Sequence, residues 1–333
     1  MSTAGSVLNV KQQDRIRGAI WGQFVGDAAA LGSHWVYDLN ELKQLFPDGV
    51  QGFENPGDDH YHSGKRPGDQ THYGDGALVL LETVADNGSF DPAEFGSRFV
   101  EVFRPGVYSG YLDQSTQGTL ANFEKAQQEQ PRVKFEFQAG ADDNQLATPS
   151  RIAAVVAQYW SRPDLLAIVA RTTRVTQNNA TAIATTQAEA FLLRELIRGE
   201  PVSSAVEKLK SSLDQFAGDL ASGLRSSIQQ AQDKTSADVV SATLEFGQAC
   251  PLPQSFPSAL HAFLRHSTDF RAAILETLRA GGDNAGRAAV VGAWSGAYLG
   301  VDAIPLEWRT RLSNTSRIAD AIDRIVEATT AID

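Results

Sequence analysis

The chain has 333 residues, of which 42% are hydrophobic, so it can bury a large core in one domain or two. Its net charge of −11, without a lysine and arginine run, argues against nucleic acid and anionic membrane as partners. The single cysteine, Cys250, excludes an internal disulfide and fits a reducing compartment. No apolar stretch could span a bilayer, so a soluble cytoplasmic protein is expected.

Apolar residues at helical spacing predict a first helix over residues 10–30. Three glycines predict that it packs closely on its neighbours, namely Gly18, Gly22 and Gly26. Asp27, near its end, is either a pocket residue or a local turn former. Trp35 and Tyr37 follow where the helical pattern breaks. They belong either to a packed loop or to a pocket rim that stacks on a base or sugar.

Residues 46–68 predict a long loop, because glycine, proline, aspartate and histidine are frequent there and no periodicity is present. Loops of this length inside a domain are usually functional or mobile. His60 and His62 lie beside Asp58 and Asp59 and could bind a metal ion. The more common explanation for such a group is a set of solvated loop residues.

The remainder of the chain is predicted to be helical. Asp91 followed by Pro92 is a helix start, and further helices are predicted over residues 115–130, 163–174, 179–198, 202–216, 237–246, 256–265 and 269–280, near Ser150, and after Pro305 and Ser316. Residues 133–138 alone show strand-like alternation. Residues 140–145 predict a polar loop in which Asp142, Asp143 and Asn144 line a pocket or form a surface turn. No repeat or linker divides the chain, which favours one predominantly α-helical domain.

Two glycine-rich acidic stretches each introduce an apolar helix. The first is GDQTHYGDG at residues 68–76, and the second is GGDNAGR at residues 281–287. Asp75 and Asp283 are both predicted at helix N-caps, where a carboxylate accepts from free backbone N–H groups. Arg287 has the spacing to pair with Asp283 on its own helix. Either the two aspartates are only capping residues, or they face one shared cavity.

These stretches resemble the two acidic motifs of the ADP-ribosylglycohydrolase family, to which the jellyfish J1-crystallins belong. In that family a Thr-Asp-Asp-Thr run and a Gly-Gly-Asp-Thr-Asp-Thr run open two helices, and their carboxylates bind two Mg²⁺ ions beside ADP-ribose. Residues 16–32 and 250–269 are also similar to the family, and residues 176–180 (TQNNA) resemble its Thr-His motif without the histidine. The resemblance implies an all-α, compact single-domain orthogonal helical bundle over residues 10–331, preceded by a flexible N-terminus at residues 1–9.

Gly74 and Ala285 stand where the resemblance implies two of the metal-binding carboxylates. Two Mg²⁺ ions about 4 Å apart carry four unit-charge repulsions, each about 4 kcal/mol at an effective dielectric constant near 20. Two carboxylates cannot offset that repulsion as four can. A single, weakly held Mg²⁺ between Asp75 and Asp283 is therefore the most that the sequence predicts, and a site without metal fits it equally well.

The resemblance implies hydrolysis of an ADP-ribosyl N- or O-glycosidic bond on a small-molecule or protein-linked ligand. The predicted catalytic residues are Asp75, Asp283 and His72, the last as a group that titrates near neutral pH. Arg287 is predicted to replace a metal charge by pairing with a carboxylate or a ligand phosphate. The other predicted ligand-binding residues are Asn284, Gln70, Asp27, Trp35, Tyr37 and Asn144. The alternative is a catalytically silent, J1-crystallin-like protein with a structural or ligand-sensing role.

Overall fold

Several helices begin where the sequence supplies a capping side chain. The computed structural model describes residues 10–130 and 132–331. Asp91 accepts a hydrogen bond from Glu94 N (2.9 Å) just before Pro92, and Asp269 accepts one from Ala272 N (3.0 Å). Each bond satisfies a donor that the first helical turn leaves unpaired, so both predicted helix starts are confirmed.

Sixteen α-helices and no β-strand lie in the described ranges. They are α1 (Val10–Ala30), α2 (Leu39–Leu45), α3 (His72–Asn87), α4 (Pro92–Phe103), α5 (Gln114–Glu129), α6 (Ala153–Tyr159), α7 (Leu165–Thr176), α8 (Ala180–Ile197), α9 (Val202–Ser212), α10 (Ala221–Asp233), α11 (Val239–Phe246), α12 (Leu252–Arg265), α13 (Phe270–Arg279), α14 (Asn284–Leu299), α15 (Leu306–Thr310) and α16 (Thr315–Ala331). The expectation of an all-α, single-domain fold is confirmed. The predicted flexible segment, residues 1–9, lies outside the described residues. No helix of the described part combines the length and hydrophobicity needed to cross a bilayer.

Glycines set the distance between α1 and α14 at the centre of the fold. A Cβ atom on Gly22 would lie 2.0 Å from the carbonyl oxygen of Gly292, and one on Gly18 would lie 2.1 Å from that of Gly296. No side chain fits at such distances, so only glycine allows this approach of the two backbones. The close packing predicted for α1 is confirmed.

The predicted strand at residues 133–138 is wrong. These residues form no strand, and Phe137 has a left-handed backbone with φ of 50°. The alternation reflects an aromatic group instead, because the Phe137 ring packs on Phe123 (5.4 Å between centroids) and on Phe135 (4.8 Å). Helices α2 and α10 were not predicted, and α12 begins four residues before the predicted start at residue 256.

Three helix termini meet in the interior: the end of α1 and the starts of α3 and α14. Thr71, before α3, donates to Asp27 in α1, and Tyr73 in α3 donates to Asp283, which precedes α14. The segment after α1 is joined to the same place by Trp35 N to Gly282 O and Gly282 N to Val36 O, each 2.8 Å. The fold thereby brings both acidic stretches together.

Candidate functional site

Asp27 links α1 to the start of α3. Its buried carboxylate accepts from Thr71 N at 2.8 Å and from the Thr71 hydroxyl. With its amide nitrogen facing the carboxylate, Gln70 donates to Asp27 Oδ2 at 2.8 Å. Burial raises the pKa of Asp27 to about 7, although the Thr71 bonds lower it. A Cβ atom on Gly74 would lie 2.2 Å from Asp27 Oδ2, so the Asp27 carboxylate fills the space that a side chain at position 74 would need.

Asp75 lies in the first turn of α3 and is not its N-cap. Thr71 caps the helix, since its hydroxyl oxygen accepts from Tyr73 N at 3.2 Å, so the predicted capping role of Asp75 is wrong. Asp75 Oδ2 instead accepts from the Lys65 ammonium at 2.5 Å and from the Tyr108 hydroxyl at 2.6 Å. A lysine thus supplies the positive charge beside this carboxylate.

Asp283 precedes α14, but its side chain makes no capping hydrogen bond. Asp283 holds the N-cap position as predicted, while the N–H of Ala285 donates to His34 Nδ1 (3.3 Å). Asp283 Oδ2 accepts from the Tyr73 hydroxyl at 2.8 Å, while Oδ1 has no hydrogen-bond partner. The carboxyl is 0% exposed, and this burial raises its pKa to about 6 against the opposing effects of Tyr73, Arg287 and the Gly286 N–H.

Arg287 and Asn284 hold the turn that precedes α14. Both are fully buried. Arg287 donates to the carbonyl oxygens of Gln248 (2.8 Å) and Gly281, and Asn284 donates to Ser33 Oγ at 3.0 Å. In the described part of the chain Arg287 forms no ion pair, so its predicted pairing with Asp283 or Asp75 is wrong. The physical reason is that backbone carbonyls take its donors.

The aromatic residues after α1 lie over the buried acidic and histidine side chains. The Trp35 ring makes edge contacts with Tyr61 (5.0 Å between centroids) and Tyr111 (4.6 Å). Trp35 has a left-handed backbone with φ of 63°, a strained conformation for a non-glycine residue. Tyr37 is 44% exposed beside them. Their role as the rim of a ligand pocket remains a prediction.

Two cavities flank this region. One of about 470 Å³ is lined by Trp35, His60 and Tyr61, and one of about 300 Å³ by Asp75 and Tyr108, each with other residues. Asp283 lines neither of them. Both volumes lie within or close to the range of small-molecule sites.

Asn144 is held through its backbone. Its carbonyl accepts from Leu252 N at 2.9 Å, and its side chain is half-buried. The neighbouring Asp143 is buried, and its carboxylate accepts from Gln177 Nε2 at 2.8 Å. Gln177, in the stretch that resembles a Thr-His motif, also accepts from Thr148 N at 2.7 Å. Through these hydrogen bonds Gln177 therefore holds the polar loop of residues 140–145 in place.

Three histidines from separate segments meet beneath Trp35. In the described residues, the one group of three or more side chains suited to bind a metal ion is His34, His62 and His72, with ligand atoms within 4.8 Å of one another. His62 is 2% exposed, so its description as a solvated loop residue is wrong. His60 lies beside the group: its ring hydrogen-bonds the carbonyl of His34 through Nε2 at 2.7 Å and accepts from His62 N through Nδ1 at 3.0 Å.

His72 does not titrate near neutral pH. Burial lowers its pKa well below the usual value, and the charges of Arg151 and Lys65 lower it further. The expectation of a neutral-pH titration is therefore wrong, and the ring is neutral at pH 7. Asp113 is its nearest carboxylate, with 3.9 Å between His72 Nε2 and Asp113 Oδ2.

Sequence reasoning missed several residues of the site. Tyr73, Lys65 and Tyr108 bind the two predicted catalytic aspartates, and Arg151 lies fully buried near His72 with Nη1 unpartnered. Tyr73 is adjacent to His72 within the first acidic motif, a position that could have signalled its role. The other three lie in segments that carry no motif.

The oxygens expected to bind magnesium do not fit that ion well. Mg²⁺ requires a near-octahedral set of oxygen ligands. Oδ2 of Asp75 already accepts from the Lys65 ammonium and the Tyr108 hydroxyl, and Oδ2 of Asp283 accepts from Tyr73. Gly74 and Ala285 add no ligand atoms. Magnesium between Asp75 and Asp283 remains a prediction.

These features define an all-α protein with buried carboxylates and histidines at three converging helix termini. The chain belongs to the ADP-ribosylglycohydrolase family, whose family model matches residues 8–332. It is 28% identical to Crystallin J1A of Tripedalia cystophora over 322 residues, 94% of this chain and 96% of the crystallin. It is 27% identical to Crystallin J1B of the same organism over 325 residues, 94% of this chain and 97% of that protein.

A solved structure supports the same relationship. A chain of an "ADP-ribosylglycohydrolase-related protein complex" superposes with a TM-score of 0.72 at 26% identity. The match covers 96% of this chain and 99% of the other. The family resemblance, first seen in the two acidic stretches, is therefore confirmed and extends over nearly the whole chain.

Proposed function

We propose that the protein hydrolyses an ADP-ribosyl or closely related glycosidic bond, with Asp283 as the central acid–base group. The observation that carries the proposal is the state of Asp283, which is fully buried, has a pKa raised to about 6, and keeps Oδ1 without a partner. A carboxyl group whose pKa lies near the working pH serves well as a general acid or base. Leaving a buried carboxylate oxygen unpaired costs about 1–3 kcal/mol, and a substrate proton at Oδ1 would offset that cost.

The proposed roles of Asp283 and Asp75 follow the two-carboxylate pattern of glycoside hydrolysis. Asp283 protonates the leaving atom, and Asp75 activates a water molecule or stabilises the positive charge that develops on the ribose. Lys65 and Tyr108 fix the Asp75 carboxylate through Oδ2. Burial lowers the pKa of His72 well below its usual value, so its ring stays neutral at pH 7 and takes no part in the proton transfer.

The ligand is proposed to enter beneath the aromatic side chains. Asp283 is 0% exposed, so a ligand reaches it only when residues above it move. Tyr61, which is 66% exposed, and Trp35 are the rings to be displaced, and Trp35 or Tyr37 can then stack on the adenine or the sugar. Four residues position this site through the turns that they bind, namely Asp27, Gln70, Asn284 and Arg287. Asn144 is proposed to contact the ligand.

Release of ADP-ribose from ADP-ribosyl-arginine and ADP-ribosyl-serine peptides tests the proposal. Asp283→Asn keeps an acceptor for Tyr73 but cannot donate the proton, so we expect release to fall by about 10²–10⁴-fold. The matched control is Asp302→Asn, an exposed aspartate beyond the other end of α14, for which we expect the wild-type rate. Wild-type release by a folded Asp283→Asn protein would refute the role of Asp283.

The second candidate is a catalytically silent protein related to the J1-crystallins. It is favoured by the names of the two relatives and by the burial of Asp283 beneath aromatic rings. If the folded protein bound ADP-ribose but released none from either peptide, with or without magnesium, the silent function would replace the hydrolase.

A further inference from the structure

We propose that His34, His62 and His72 form a binding site for one divalent transition-metal ion of the zinc class. The three side chains come from the segment after α1, from the long loop and from the first residue of α3. Their convergence is therefore a product of the fold and not of local sequence.

The first argument is geometric. All three histidines are buried, and one ligand atom from each lies within 4.8 Å of the other two. The ring centroids are 5.5 Å apart for His34 and His62, 5.6 Å for His62 and His72, and 5.9 Å for His34 and His72. Two nitrogens on tetrahedral zinc lie about 3.4 Å apart, given Zn–N bonds of about 2.0–2.1 Å. Because His62 belongs to no helix, its ring can close the remaining distance without moving one.

The second argument is the number of buried nitrogens without partners. Nε2 of His34 and both ring nitrogens of His62 and of His72 make no hydrogen bond. Buried polar atoms are nearly always paired in native proteins, and each exception requires an explanation. A metal ion that accepts one lone pair from each ring accounts for three of these atoms at once.

The donor set selects the class of metal. Neutral imidazole is a ligand for zinc, cobalt, nickel and copper, whereas magnesium prefers oxygen. Three protein ligands leave a fourth tetrahedral position for water or a ligand, as in zinc sites of enzymes.

A nearby carboxylate can orient one of the rings. Asp113 Oδ2 lies 3.9 Å from His72 Nε2. A histidine that binds metal through one nitrogen carries its proton on the other, where a carboxylate commonly accepts it. On this basis His72 binds through Nδ1.

Zinc titration of the chelator-stripped full-length protein tests the site by calorimetry, which needs no substrate. We expect one equivalent to bind, and His62→Asn or His72→Asn to weaken binding by about 100-fold or more, since each removes a ligand. His266→Asn is the matched control, because His266 lies outside the cluster at the end of α12, and its affinity should stay at the wild-type value. Equal zinc affinity in wild type and His62→Asn, or no binding by the folded wild type, would overturn the proposal.

A second readout covers the case in which a variant folds poorly. The Trp35 ring lies 4.1 Å from His34, 5.5 Å from His62 and 5.3 Å from His72. Cu²⁺ at the cluster should therefore quench Trp35 fluorescence, and Trp35→Phe, which keeps all three ligands, should lose that quenching. Quenching of the same size in Trp35→Phe would place the copper elsewhere and contradict the site. Neither readout depends on hydrolysis, so this proposal and the proposed function can fail separately.

Discussion

Substitution of alanine for Gly22 should destabilise the protein by driving α1 from α14. The new Cβ atom would lie 2.0 Å from the Gly292 carbonyl oxygen and 2.6 Å from its carbonyl carbon, whereas ordinary contacts begin near 3.4 Å. The two backbones must therefore separate by about 1.4 Å, and a gap of 0.5–1 Å already forfeits roughly a quarter to a half of a dispersion contact.

The expected size of this effect can be worked from opposing terms. Overpacking a core costs about 1–3 kcal/mol, and the upper end applies here because the obstacle is backbone rather than a flexible side chain. Alanine improves helix propensity over glycine by about 1 kcal/mol. We therefore expect the free energy of unfolding to fall by about 2 kcal/mol, measured by urea unfolding at pH 7.

Gly223→Ala is the matched control. Gly223 also lies in a helix, α10, but a Cβ atom there would meet nothing within 4 Å. Only the propensity term remains, so this variant should be more stable than wild type by about 0.5–1 kcal/mol. If Gly22→Ala were as stable as Gly223→Ala, the argument that α1 and α14 require glycine at their contact would be refuted.

Three further predictions concern the titrating groups of the site. Tyr73→Phe removes a hydrogen bond that favours the charged carboxylate, so the pKa of Asp283 should rise above its value of about 6, and an unchanged value in a carbon-13 NMR titration would contradict the assigned contact. The pKa of Asp27 is raised from 3.8 to about 7, so between these pH values the folded state keeps a proton that the unfolded state has lost. The stability of wild type relative to Asp27→Asn should therefore fall as pH rises between about 4 and 7. A constant difference in free energy of unfolding, measured with urea, would be inconsistent with this prediction. The pKa of His62 is lowered from 6.5 to about 2, so the unfolded state binds a proton at a higher pH than the folded state does. The stability of wild type relative to His62→Asn should therefore fall as pH decreases below about 6.5. A stability difference that stays constant with pH in urea unfolding would contradict this prediction.

The sequence predicted the helices of the fold because their signals are local. Periodic apolar residues, the Asp91-Pro92 start and the glycines of α1 act within a few residues of one another, and the structure bears out each of them. The strand prediction at residues 133–138 failed for the same reason. Alternating phenylalanines look alike whether they face a sheet or, as here, pack on Phe123.

The site could be predicted only in part, since its side chains pair across long separations in the chain. The sequence indicates Asp75 and Asp283 but not their partners, because Tyr73 lies 210 residues from Asp283 along the chain. The capping prediction for Asp75 failed because Thr71, four residues earlier, was available to begin the helix. The prediction for Arg287 failed because spacing along one helix does not reveal carbonyl oxygens brought in by the Gly281 turn and by Gln248.

The central claim is that a family member without the two-magnesium carboxylate set still cleaves an ADP-ribosyl bond through Asp283. The most direct measurement is the rate of ADP-ribose release from an ADP-ribosyl-serine or ADP-ribosyl-arginine peptide by chelator-stripped protein, with and without added Mg²⁺. The account predicts release at the same rate in both conditions, with loss of that rate in Asp283→Asn. Release that occurs only after Mg²⁺ is added would contradict it.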